Sequence, residues 1–248
     1  MTCWWEVASS KETQAVKPFG RGCLATLPKS PSPDERAVPD LSLELGLHQQ
    51  GYSLVAGVDE VGRGPLAGPV VAAAVVLPLG LTGSEPWLAQ LDDSKKLTPA
   101  RREKVVELVE IHALAVGVGQ VGPEEIDRIG IGPANIQAMM QAVANLPLSP
   151  SFLLLDFVHI RDCLIPFRPV VGGDGVSYSI AAASNVAKVA RDRMMEEADS
   201  IYPGYDFAKN KGYGTARHMA GLKEKGPCVI HRHSFAPVRS AAKALGKG

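Results

Sequence analysis

The chain has 248 residues, is 46% hydrophobic, and balances 26 Lys and Arg against 26 Asp and Glu. That suffices for one large domain or two small ones with a real core. No apolar run reaches the ~18 residues of a membrane span, and the N-terminus Met-Thr-Cys-Trp-Trp-Glu lacks a signal peptide's basic and apolar regions. Cys3, Cys23, Cys163 and Cys228 show neither zinc-ligand nor disulfide-framework spacing, so a reducing, cytoplasmic compartment is expected. The neutral total hides an asymmetry. From Pro203 to Gly248, nine Lys and Arg stand against Asp206 and Glu224, a net +7, which leaves −7 for residues 1–202. A basic C-terminal segment beside an acidic body fits a polyanionic partner and a carboxylate metal site, although a solvated basic tail has the same composition.

Residues 1–39 hold Pro18, Pro28, Pro31, Pro33 and Pro39 without hydrophobic periodicity and read as a disordered extension. A short helix starts near Leu41. Residues 53–59 form a strand ending in Asp59 and Glu60, and Pro69 to Leu77 form a second, buried strand paired with it as a hairpin. Leu91 to Pro99 is a polar loop. Thr98 caps a helix with Pro99 at its first position, running to about Ile111. Leu114 to Val121 is a third strand, followed by helices over 123–129 and 133–145. Residues 151–156 form a buried strand that again ends in an acid, Asp156. Ser179 to about Ser200 is the longest helix, stopped by Pro203. Thr215 to Lys225 is the last, with Gly226 at its C-terminal cap. The order predicts an α/β layered domain with a mixed sheet over 40–202, then a basic helical extension and tail over 203–248.

Acids at the ends of buried elements carry the chemistry. Asp59 and Glu60 precede a Gly62-Arg63-Gly64 turn. Asp192 lies inside the long helix, where Asp is a poor interior residue, and the helix opens with the small run Ala181-Ala182-Ala183-Ser184. Ser184, Lys188 and Asp192 are spaced four apart and share one face. Four acids brought to strand ends would make an all-oxygen site for Mg²⁺ or Mn²⁺, and two such ions suit phosphodiester hydrolysis. Taken singly, Asp192 reads equally as an ion pair with Lys188, and Asp156 as a turn cap.

Residues 59–70, Asp-Glu-Val-Gly-Arg-Gly-Pro-Leu-Ala-Gly-Pro-Val, resemble the signature of the ribonuclease HII family, the type 2 ribonucleases H. The resemblance continues through Asp93-Ser94-Lys95-Lys96-Leu97, Leu155-Asp156, Ser179 to Ser184, Ala187 to Asp192, Lys211-Gly212-Tyr213-Gly214-Thr215 and His231-Arg232, covering about residues 43–239. It implies a ribonuclease H-like fold: a mixed five-stranded sheet flanked by helices, with a C-terminal helical extension. It implies that Asp59, Glu60, Asp156 and Asp192 bind metal and catalyse, and that Gly62, Arg63, Gly64 and Tyr213 read a ribonucleotide. The implied activity is metal-dependent cleavage of the RNA strand in RNA–DNA hybrids. It extends to cleavage 5′ of single ribonucleotides in duplex DNA, leaving 3′-OH and 5′-phosphate ends, as in ribonucleotide excision repair and DNA replication. The implied protein is a cytoplasmic monomer. The residue types suit the task. Only contact with the 2′-OH tells RNA from DNA at one position, and glycine lets a backbone approach a sugar closely. Tyr213 offers a flat ring and a hydroxyl, though such a residue also serves as packing at a helix entry. Lys188 and Ser184 are candidate phosphate contacts. Phe157, Gly173, Asn185 and His233 depart from the family's usual residues.

Two rival readings stand. Gly117-Val118-Gly119-Gln120-Val121-Gly122 matches a dinucleotide-binding fingerprint, but no acid follows within 136–150 to hold a ribose. A non-catalytic nucleic-acid-binding module would use the basic C-terminus and Tyr213 but leaves four placed acids unexplained. His231-Arg232-His233 has H-x-H metal spacing in a Lys/Arg-rich stretch, where phosphate contact or packing is the alternative.

Overall fold

The computed structural model describes residues 38–91, 97–160, 163–244 and 246. The expected disorder of 1–39, all but its last two residues, and the Asp92–Lys96 part of the polar loop lie outside them. The elements in order are α1 (Ser42–Gln49), β1 (Val55–Val61), β2 (Val70–Val76), α2 (Pro99–His112), β3 (Ala115–Val121), α3 (Pro123–Ile129), α4 (Ile131–Ala144), β4 (Phe152–Asp156), β5 (Phe167–Val170), α5 (Tyr178–Ile201), α6 (Phe207–Asn210), α7 (Ala216–Lys225) and α8 (Ala236–Ala244). The sheet order is β3-β2-β1-β4-β5. β1 pairs antiparallel with β2 and parallel with β4, so the expected mixed five-stranded sheet and the β1–β2 hairpin are both present.

Side-chain alternation sends Ala56 and Val58 of β1 toward α4, and Gly57 and Asp59 toward α5. One apolar layer packs β2 against α2 and α5, and the other packs the opposite face of the sheet against α4. Burying both faces explains why β2 reads as an unbroken Val/Ala run rather than an alternating one.

Glycines set the distances between layers. A β-carbon at Gly57 would lie 2.2 Å from the Ser179 carbonyl carbon, so β1 and the first turn of α5 touch backbone to backbone. Gly117 and Gly119 do the same for β3 against α4, where β-carbons would lie 2.2 Å from the carbonyl oxygens of Ala142 and Ala138. The glycine fingerprint is therefore strand packing inside an antiparallel pair, not a phosphate loop between strand and helix.

α5 begins at Ser177, whose hydroxyl accepts from the Ile180 N–H. The buried Glu44 of α1 accepts hydrogen bonds from the Ser177 hydroxyl (2.6 Å) and from the Ser179 N–H (3.0 Å) and hydroxyl (2.6 Å). A carboxylate at the N-terminus also complements the helix dipole.

Three boundaries differ from the sequence expectation. β1 runs to Val61 because its ladder with β2 continues through Val61–Val71, which places Asp59 and Glu60 inside the strand rather than at its end. β5 is four residues long and carries Arg168 and Pro169, so it lacks an apolar signature. The short α6 and the Lys/Arg-containing α8 also lie in the segment read as extension and tail.

Gly57→Ala should cost about 1–3 kcal/mol or more, because the obstructing atoms are helix backbone and cannot rotate away. The denaturation midpoint reads this, with Gly132→Ala, where the space is open and φ is not left-handed, as control.

Candidate active site

β1 and β4 place three acids together. Val58 pairs with Leu155 in the parallel ladder, so Asp59, within β1, lies beside Asp156 at the end of β4. Glu60 points to the opposite face, toward Asn135 of α4. Burial, then Asp156, then Glu60 push the Asp59 carboxyl well above the ordinary carboxylate range, against hydrogen bonds from the Ser184 hydroxyl and the Glu60 N–H (2.7 Å). Burial also raises Glu60, opposed by the Arg63 guanidinium 3.3 Å away. The Gly173 N–H donates to Asp156 at 2.7 Å. A β-carbon at Gly173 would meet the end of the Ile180 side chain at 2.6 Å, so a larger residue there would require Ile180 to shift, while the glycine N–H supports the carboxylate.

Asp192 is held apart from this trio in its bonding. Lys188, one turn earlier on α5, contacts it at 2.6 Å, and the buried Arg102 of α2 at 3.4 Å. Burial lowers the Lys188 pKa, and Asp192 is its counter-ion. Ser184, Lys188 and Asp192 do share one face of α5, but Ser184 is buried with its hydroxyl turned to Asp59. Among the described residues no group of three or more His, Cys, Asp or Glu stands ready to hold a metal ion. The donor set nevertheless suits a hard divalent cation. Three acids repel one another with too little positive charge between them, and the buried Glu60 Oε2 has no hydrogen-bond partner.

The turn after β1 is fixed by two buried arginines that sequence reasoning left without a role. Arg232, fully buried, donates to the carbonyls of Gly62 (2.6 Å), Arg63 (3.0 Å) and Gly68 (2.9 and 3.0 Å). Arg191, also fully buried, donates to Ala67 (3.1 Å), Pro69 (2.9 Å) and Lys211 (2.9 Å). Burial lowers Arg191 to about 10, and burial with Arg191 beside it lowers Arg232 to about 9. Gly62 has φ +94° and no room for a β-carbon, which would lie 2.3 Å from Arg191 Nε. Gly64 faces Tyr213 across the gap, where a β-carbon would sit 3.6 Å from Tyr213 Cε1.

Tyr213 is 46% exposed, and a buried relay fixes its backbone. His218 Nδ1 meets the Tyr213 carbonyl at 2.9 Å, His218 Nε2 meets His231 Nε2 at 3.0 Å, and the Cys228 N–H donates to His231 Nδ1 at 2.9 Å. A carbonyl can only accept, so His218 carries its proton on Nδ1 and His231 on Nε2. Both rings are then neutral and fully bonded. Burial, then His218, lowers His231 to about 4, in keeping with this. His231 is thus packing, and His233 is exposed with its N–H on Asp127 (2.7 Å), so the H-x-H pair builds no metal site. The Asn185 amide donates to the Ala181 carbonyl within α5 (2.9 Å).

The ribonuclease HII family model matches residues 56–238. The chain belongs to the ribonuclease HII family. A ribonuclease HII from Dehalococcoides mccartyi is 48% identical over 202 residues, 82% of this chain and 95% of the relative. Among solved structures, the ribonuclease H2 from Pyrococcus horikoshii OT3 matches with a TM-score of 0.67 and 25% identity, over 79% of this chain and all of that one. A Bst-RNase HIII structure in complex with Mn²⁺ shares the fold, with a TM-score of 0.60 and 19% identity, over 82% of this chain and 74% of that one. As a ribonuclease HII, the chain is a hydrolase with ribonuclease H endonuclease activity, in a family that depends on divalent metal. No helix among the described residues is long and apolar enough to cross a membrane.

The strain at Asp59 has a sign. Its folded-state pKa lies above the unfolded value of 3.8, so the folded form binds the extra proton and loses stability as pH rises from 3.8 toward the folded value. Asp59→Asn should remove that slope. In chelator, its melting temperature should exceed wild type by about 2–4 °C near pH 7, the shift of ~1 kcal/mol in a protein this size. The gap should close toward pH 4. Mn²⁺ should raise wild type more at pH 8 than at pH 5, and Asp59→Asn little at either. Parallel wild-type and variant melting curves across pH 4–8 would contradict this.

Proposed function

We propose that the protein cuts the RNA strand of RNA–DNA hybrids and the 5′ side of single ribonucleotides in duplex DNA, leaving 3′-OH and 5′-phosphate ends. The carrying observation is the meeting of three repelling acids with the Gly62–Gly64 turn and Tyr213. Asp59, Glu60, Asp156 and Asp192 would hold the cations, with Asp59 shared and Asp192 drawn from Lys188 and Arg102. Bound Mn²⁺ or Mg²⁺, as two ions, would supply a water of lowered pKa and stabilise charge on the leaving oxygen.

The chain's own residues select the substrate. Gly62 and Gly64 let the backbone approach a sugar, and Tyr213 packs on it from the other side, so the ribose 2′-OH is read between them. Arg63 is exposed beside Glu60 and would meet the neighbouring phosphate. Lys188 would turn to phosphate once Asp192 is taken up by metal, while Ser184 acts by steadying Asp59. A cleft of about 430 Å³ beside Asp192 sets Arg102, Lys188, Arg193, Lys209 and Lys211 against Glu103, Asp192 and Glu196, and this net positive lining offers a path for backbone phosphates. The basic segment 203–248 extends it, so binding should fall steeply with salt. We place the protein in the cytoplasm as a monomer serving ribonucleotide removal during replication and repair, with 40–202 as catalytic domain and 203–248 as duplex-holding extension.

A DNA duplex with one embedded ribonucleotide, incubated with Mn²⁺ or Mg²⁺, should be cut once, at that position. An uncut duplex would overturn the reading. Tyr213→Ala should lower cleavage there by about 5–150-fold, the range of a lost 1–3 kcal/mol ring contact. Its binding to an all-DNA duplex should hold, and equal loss of both would show that Tyr213 does not read the sugar.

A further inference from the structure

Phe157 follows Asp156 directly and combines two costs that nothing in the free protein offsets. Its φ is +48°, in the left-handed region where a β-carbon crowds the backbone, and it is 70% exposed. Asp206 and Lys211, the other left-handed non-glycines among the described residues, flank α6. Lys211 is tied to Glu196 and to the Asp192 carbonyl, and its own carbonyl to Arg191. Phe157 is anchored by its backbone alone, N–H to the Val170 carbonyl at 2.9 Å. That bond sets it beside Val171, which is 57% exposed. An apolar ledge thus lines the carboxyl ends of β4 and β5, next to a catalytic acid. Residues kept in such conformations cluster where a ligand completes the packing.

We propose that Phe157 is a substrate-contact residue whose ring packs on the sugar or base of a nucleotide beside the scissile phosphate. The inference rests on Asp156 belonging to the catalytic set. Adjacent Cα atoms are about 3.8 Å apart, so a nucleotide with its phosphate at Asp156 has its sugar within reach of the ring. Nucleic acids present a flat face at every nucleotide, so an aromatic here adds affinity without demanding sequence. The Val171 side chain widens the same ledge.

Phe157→Gly and Phe157→Trp test this. The glycine variant should melt at or above wild type, since the left-handed strain is gone. Its KM for the single-ribonucleotide duplex, and its Kd for that duplex in EDTA, should rise about tenfold, within the range of one lost stacking contact. Its kcat and the Mn²⁺ concentration for half-maximal rate should stay unchanged. Phe157→Trp should keep the wild-type KM, and its indole fluorescence should change when duplex is added in EDTA. Unchanged KM and Kd in Phe157→Gly would overturn the proposal. So would a shift in kcat and Mn²⁺ requirement alone, which would mean that Phe157 acts only by positioning Asp156. Should Phe157→Gly fail to fold, an indole unresponsive to duplex would overturn it. If wild type cuts nothing, the activity reading fails, while the EDTA binding arm still decides Phe157.

Discussion

The backbone contact between Gly57 of β1 and the first turn of α5 is the constraint on which the site depends. It fixes the height of a 24-residue helix above the sheet and the phase at which its side chains meet β1. With Gly57 against Ser179 and Ile180, Ser184 arrives at Asp59 and Arg191 arrives under Gly62. A strand advances about 3.3 Å per residue and a helix about 1.5 Å, so five residues of β1 span nearly the same length as twelve of α5. Gly57 to Gly62 and Ser179 to Arg191 are these two lengths. Glu44 fixes where the helix starts, the glycine fixes how close it lies, and the acids and the turn follow.

The charge distribution around this axis is polarised. On β1 and β4 the acids lie close enough to raise each other's proton affinity. On α5 the neighbouring carboxylate, Asp192, is bracketed by Lys188 and Arg102. On the proposed metal set, a divalent cation would relieve the first group and would compete with Lys188 and Arg102 for Asp192.

Much of this was legible in the sequence, because the relevant signals are local. Buried strands, a proline-started helix and the run of small residues opening α5 report their own surroundings. What escaped is non-local. β1 looked finished at Asp59 because polar residues follow, yet the ladder with β2 carries it to Val61. Gly117 and Gly119 matched a phosphate loop because a motif cannot show what lies above a strand; α4 lies there. Arg191 and Arg232 read as two more basic residues, since turn carbonyls 122 to 170 positions away, with Lys211 20 positions away, leave no local trace. The sharing of a face by Lys188 and Asp192 was visible in their spacing, but the capture of Asp192 by Arg102 across 90 residues was not.

Arg191 and Arg232 show what the site requires of the rest of the protein. Two fully buried guanidiniums, Arg191 lowering the pKa of Arg232, make seven bonds to carbonyls and, among the described residues, no salt bridge to a carboxylate. Placing like charges together in the interior is unfavourable, and apolar side chains would pack the same space at less cost. Carbonyl oxygens of a glycine-rich turn cannot, however, be satisfied by apolar atoms. This turn directs its carbonyls inward, and those carbonyls need rigid, multiple donors. Guanidinium is the one side chain with five N–H groups in a fixed fork. The same forks reach Lys211 and run beside the chain that carries Tyr213, so both walls of the gap rest on one support. The unfavourable charge is thus coupled to a fixed spacing between Gly64 and Tyr213, the spacing that the proposed reading of a single hydroxyl group would use.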